Sequence, residues 1–161
     1  MIITPPPVVA PAAQALPPLS FLRFRAGMPV SEAGSLIRAS RGILVCKATS
    51  DSRMRECTGR LPRPGLSTVF EVLISSVHDS SAVIVFSLRG GAGVSRWVTD
   101  LTRQFGRPNH RQQGNQSSWQ WIRDRKMLRV VERRTGGTRE TSVTLTHGPL
   151  LDGLGAPQGT P

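Results

Sequence analysis

Residues 117–147 read SSWQWIRDRKMLRVVERRTGGTRETSVTLTH, and the two-residue Gly136-Gly137 turn in this stretch decides how the chain is read. Paired glycines accept the positive φ angles of a tight hairpin. Closing the chain there sets Val130 opposite Val143 and Leu128 opposite Leu145 on one face. Arg133 then faces Glu140, and Val131 faces Ser142, on the other. A second turn at Asp124-Arg125 adds Trp119 and Trp121 to the apolar side. Apolar and polar positions separate by strict alternation, as a one-sided antiparallel sheet requires.

Working outward, extended segments are expected at about 43–49, 54–60, 69–77 and 81–89, besides 117–124, 127–135 and 139–147. A turn near Asp79-Ser80 would align Leu73 with Phe86 and Ser75 with Ile84. Val72 and Ile74 would then share the opposite face with Val83 and Val85. Both sides of this hairpin are apolar, so both are covered within the domain, or one meets a partner. Two helices are predicted. The first covers about 30–41, behind Pro29, with Val30, Ala33, Leu36 and Ile37 as its stripe and Gly42 as its stop. Gly90-Gly91-Ala92-Gly93 opens the second, Trp97, Val98, Leu101 and Phe105 form its stripe, and Gly106-Arg107-Pro108 ends it. The expected fold class is α+β, with two helices packed on a curved antiparallel sheet, in an order that reads as two copies of a helix-plus-strands unit.

The 161 residues suffice for one core. Residues 1–20 hold six prolines and read as a tail or tether, 21–148 as a single α+β domain, and 149–161 as a flexible C-terminal tail. Ala13-Gln14-Ala15 has the small-x-small form of a cleavage site, but no basic residue precedes it and prolines interrupt the apolar stretch, so no export signal is expected. No apolar run reaches the ~18 residues of a membrane-spanning helix.

A turn at Asp51-Ser52 places Cys46 opposite Cys57 and Lys47 opposite Glu56, within disulfide range. A Cys46–Cys57 disulfide and an oxidising envelope compartment are therefore expected, the alternative being two buried thiols in a cytosolic protein. The net charge is +11, and 19 of the 21 basic residues are arginine. That skew reads either as a functional basic surface or as a GC-rich genomic bias.

Three motifs carry a resemblance. Gly27-Met28-Pro29 leads into a helix, Gly106-Arg107-Pro108 follows one, and Trp119 and Trp121 sit in an antiparallel sheet. In this the chain resembles small bacterial envelope domains typified by the outer-membrane assembly lipoprotein and the beta-lactamase inhibitor protein. The likeness spans about residues 24–148 and implies an envelope α+β binding module. The chain departs from the pattern in splitting the two Gly-Pro motifs between different helices and in having no cysteine near its start to carry a lipid.

No catalytic constellation assembles from the sequence. His78, Asp79 and Ser80 are adjacent turn residues, whereas a triad converges from separate elements. His78, His110 and His147 lack second ligands at metal spacing, and the 90–93 glycines match no phosphate-loop pattern. No cofactor or metal is expected. The favoured function is a non-enzymatic protein-binding or scaffolding module of the bacterial envelope, periplasmic or peripheral to a membrane, as an extrinsic subunit of a larger complex. Its expected partner surface comprises Val72, Ile74, Val83, Val85, Arg123, Arg125, Lys126, Arg129 and Arg133. The alternative is nucleic-acid binding, since residues 103–139 hold ten basic and two acidic side chains.

Overall fold

The computed structural model describes residues 2–10, 17–63, 68–91 and 93–155. Its framework is one eight-stranded antiparallel sheet. Four strands follow the first helix: β1 (Ile43–Ala48), β2 (Met54–Pro62), β3 (Val69–Val77) and β4 (Ser80–Arg89). Four follow the second: β5 (Asn109–Gln113), β6 (Gln116–Arg123), β7 (Lys126–Thr135) and β8 (Thr138–His147). The spatial order β1-β2-β3-β4-β8-β7-β6-β5 joins two meanders at the β4–β8 seam.

The helices are short: α1 (Val30–Ala39), α2 (Ser95–Phe105) and α3 (Gly148–Asp152). This overturns the expected α+β class. The molecule is mostly β-sheet, with helices as short attachments. Sequence reading missed β5, whose Asn-His-Arg-Gln-Gln run is exposed throughout and offers no apolar alternation to detect. It also missed α3, a single turn begun by His147, whose Nδ1 accepts the Leu150 N–H at 3.1 Å. Leu19, before the expected 21–148 span, is buried in the core, and α3 runs from Gly148 to Asp152. Ala13-Gln14-Ala15 and Ala92 lie outside the described residues.

The register explains the core. One row crosses seven strands, Cys46–Cys57–Ile74–Ile84–Leu145–Leu128–Trp121. The next carries Val72, Phe86, Val143, Val130 and Trp119. On this side Leu19, Phe21, Phe24, Met28, α1 and α2 close the core. Phe21 meets Phe86 edge-on at 5.3 Å, and Trp97 of α2 lies 5.4 Å from Phe70. Trp121 Nε1 donates to the Gly106 carbonyl at 2.8 Å, so the buried indole leaves no orphan donor. Gly27 has φ +88°, and a Cβ there would meet His147 Cδ2 at 2.6 Å, which accounts for glycine in the Gly-Met-Pro lead-in.

The 117–147 meander has the register expected of it, including Arg133 opposite Glu140 and Trp119 beside Trp121 on the core face. The β1–β2 pairing likewise sets Cys46 against Cys57, and the two form a disulfide. The β3–β4 hairpin does not follow expectation. Its turn residues are His78 and Asp79, both at positive φ, rather than Asp79 and Ser80. A bulge between Ser75 and Ser76 then shifts the ladder, so Val72 pairs with Phe86 and Leu73 with Val85. Relative to the expected pairing each partner moves by one position, and a one-residue slip exchanges faces.

Candidate functional site

The shifted register gives the sheet a second face that no described element covers. Its central row runs Val45–Thr58–Leu73–Val85–Thr144–Arg129–Gln120–Asn109. One flanking row holds Val83, Thr146, Met127 and Ile122, and the other Ser87, Ser142, Val131 and Ser118. Ile43, Val45, Leu73 and Ile122 are exposed, the last at 67%. Val83, Val85, Met127 and Val131 are half-buried, although only neighbours within the sheet shield them. An open depression of about 720 Å³ lies on this face over β3, β4, β8 and β7, with Glu71, Ser87, Ser142 and Val131 along its floor.

Charge on the face follows the ladder. Lys47 stands opposite Glu56 and Arg60 opposite Glu71. Arg89 pairs with Glu140 at 3.2 Å, and Arg133, across from Glu140, donates to Gln116 Oε1 at 2.8 Å. Arg129 has no acidic neighbour of this kind.

The nine residues expected to form one partner surface separate into three groups. Val83, Val85, Arg129 and Arg133 share the open face. Val72 and Ile74 are 2% and 0% exposed in the core, so they are withdrawn from any partner, and the cause is the β3–β4 slip. Arg123, Arg125 and Lys126 cluster at the β6–β7 turn and brace the fold. Arg123 donates to the carbonyls of Pro17 at 2.7 Å and Phe105 at 3.1 Å, with its guanidinium 5.7 Å over the Phe105 ring. Arg125 is ion-paired to Asp152 of α3, and Lys126 lies across from His147. Ile43, Val45, Leu73, Met127, Val131 and Ile122 of the open face were missed. Ile122 was discoverable, since it alternates with Trp121 and must point away from the core.

No family model matches this chain, and neither a curated protein nor a solved structure is found to match it. The resemblance noted in the sequence therefore stands on its three short motifs alone.

The other residues weighed for chemistry sit in structural positions. His78 and Asp79 form the β3–β4 turn, where the His78 N–H donates to the Arg53 carbonyl and the Asp79 carbonyl accepts the Val30 N–H. His110 stacks flat on half-buried Trp119, with ring centroids 4.9 Å apart. Gly91 and Val94, before α2, are each held from the β7–β8 hairpin. The Arg139 guanidinium donates to the Gly91 carbonyl at 3.2 Å, and the Val94 N–H donates to Glu132 Oε2 at 3.2 Å. Among the described residues no cluster of three or more His, Cys, Asp or Glu side chains is placed to hold a metal ion, and no helix is long and apolar enough to cross a membrane.

Proposed function

We propose that this chain is a non-enzymatic protein-binding or scaffolding module of the bacterial cell envelope, an extrinsic subunit that docks through the open face of its sheet. The observation that carries this reading is a pair of uncovered apolar patches, Leu73, Val83 and Val85 on β3–β4 and Met127, Val131 and Ile122 on β7–β6, on either side of the Ser142, Thr144 and Thr146 column of β8. An antiparallel sheet that only faces water ordinarily shows polar side chains there. Exposed apolar patches with a charged border have the anatomy of a protein interface. The partner's chemistry follows by complementarity: an apolar ridge carrying acidic groups, matched to the cation excess of this chain. The Cys46–Cys57 disulfide supports an oxidising compartment, and hence the periplasmic or membrane-peripheral side of the proposal.

A photo-crosslinking amino acid in place of Val85, compared with one at exposed Ser35 on α1, tests the assignment in cells. A discrete adduct from position 85 that is absent from position 35 is expected. Equal labelling from both positions, or none from 85, would overturn it.

The nucleic-acid alternative has less to support it. Trp121 is buried and Trp119 is stacked on His110, so neither ring lies free for a base. The basic residues of segment 103–139 are scattered: Arg103 lies on α2, Arg111, Arg129 and Arg133 on the open face, Arg123, Arg125 and Lys126 at the β6–β7 turn, and Arg139 at the brace before α2.

A further inference from the structure

We propose that Arg129 is the anchor of the docking face, receiving a carboxylate from a protein partner whose apolar side chains lie along Leu73, Val85 and Met127. The inference rests on the reading of the open face as a docking surface and adds the group that orients the partner.

Arg129 differs from every other cation on that face. It is half-buried, whereas Lys47, Arg60, Arg89, Arg111 and Arg133 are exposed. Its cross-strand neighbours are Gln120 and Thr144, and its same-face neighbours along β7 are Met127 and Val131. The diagonal positions are uncharged as well. Among the described residues it makes no ion pair and no side-chain hydrogen bond. A guanidinium partly withdrawn from water, with no internal counter-charge, sits where an incoming carboxylate gains most from a two-pronged hydrogen bond.

The rest of the face selects among anions. Glu56, Glu71 and Glu140 lie on the same surface, Glu56 and Glu71 across from Lys47 and Arg60 and Glu140 ion-paired to Arg89. A phosphate backbone, with closely repeated charges, would meet these carboxylates while finding one central cation. A single carboxylate set among apolar side chains meets none of that repulsion. The geometry therefore favours an acidic-apolar protein segment over a polyanion.

Random displayed peptides selected on the intact, disulfide-bonded chain and then synthesised test the assignment. Peptides that shift the amide resonances of Leu73, Val85 and Arg129 should carry one Asp or Glu among apolar residues. Arg129→Gln should weaken them at least about tenfold, and Arg129→Lys less. Removing the peptide carboxylate should cost the same factor, with no further loss when both changes are combined. Arg111→Gln, an equal change of charge on the same face, should leave affinity within about twofold. Where Arg129→Gln lowers the folded fraction, the Arg129→Lys and peptide-carboxylate arms carry the comparison. Face-binding peptides indifferent to position 129 would sink the anchor and leave the docking face standing. Peptides that never map to this face would sink both. Displacement by a single-stranded oligonucleotide whose own affinity depends on Arg129 would overturn the carboxylate assignment in favour of a polyanion.

Discussion

Adjacent residues Val72 and Leu73 measure how far one position matters in this sheet. Val72 is 2% exposed in the core, across from Phe86, and Leu73 is 38% exposed on the open face. Val72→Ala should therefore destabilise the fold by about 1–3 kcal/mol, and Leu73→Ala by under about 1 kcal/mol, as denaturant midpoints would show. Equal losses would mean that the open face is covered. The sequence does not disclose this order, because Val, Leu and Ile alternate with one another across β3 and the bulge at Ser75/Ser76 leaves no residue signature. A second residue-scale effect belongs to His147. Burial first, then the charges of Lys126 and Arg125, hold its pKa below the ordinary 6.5. Its Nδ1 must also stay unprotonated to accept the Leu150 N–H. The unfolded chain then takes up a proton more readily than the folded one, so this contribution to stability is complete above pH 6.5 and is lost as pH falls through the depressed folded value. Denaturant midpoints taken from about pH 8 to about pH 5 should fall, and His147→Asn should flatten that dependence. Asp51 titrates in a different window: hydrogen bonds from Arg53 hold it at about 2, below its ordinary 3.8, so its contribution survives until stronger acid.

At the scale of elements, two local devices hold the margins of the sheet. The Cys46–Cys57 disulfide staples edge strand β1 to β2, and closing so short a loop contributes about 3 kcal/mol. Reduction, or a Cys46→Ala/Cys57→Ala double substitution, should lower stability by about 2–3 kcal/mol in equilibrium unfolding; an unchanged midpoint would mean that β1 is held without it. This bond was legible because one register satisfied both the sulfurs and the Lys47–Glu56 charges. The second device was not legible. Glu132 on β7 accepts the Val94 N–H and lies 3.6 Å from Arg139, which itself holds the Gly91 carbonyl. Nothing in the spacing of residues 94 and 132 announces that contact. Glu132→Gln should cost about 1–3 kcal/mol, because a charge-assisted bond weakens and Arg139 loses its counter-charge. Loss of amide-exchange protection at Val94 and Val98 would place the damage at the start of α2; unchanged protection there would refute the coupling.

Across the whole molecule, the 117–147 meander has its expected register because each of its turns is marked by its residues, Gly136-Gly137 above all. The joint between the two meanders could not be read that way. The β4–β8 seam unites strands separated by α2 and three further strands, and sequence supplies no turn there to set a register. Its consequence is cooperativity. Fully buried Ile84 faces Ile74 on one side and Leu145 on the other, so the core row continues without a gap from the disulfide to Trp121. Two independently stable halves would instead leave a polar or loosely packed boundary at the seam. In a Trp97→Phe background the remaining indoles, Trp119 and Trp121, both report from β6, several strands away from Ile74. Ile74→Ala should lower stability by about 2–5 kcal/mol. If the sheet unfolds as one unit, the tryptophan fluorescence transition and the far-ultraviolet circular dichroism transition should move together by the same amount. A fluorescence midpoint that stays in place while the dichroism midpoint falls would show that the second meander stands alone, and that the open face is two surfaces rather than one.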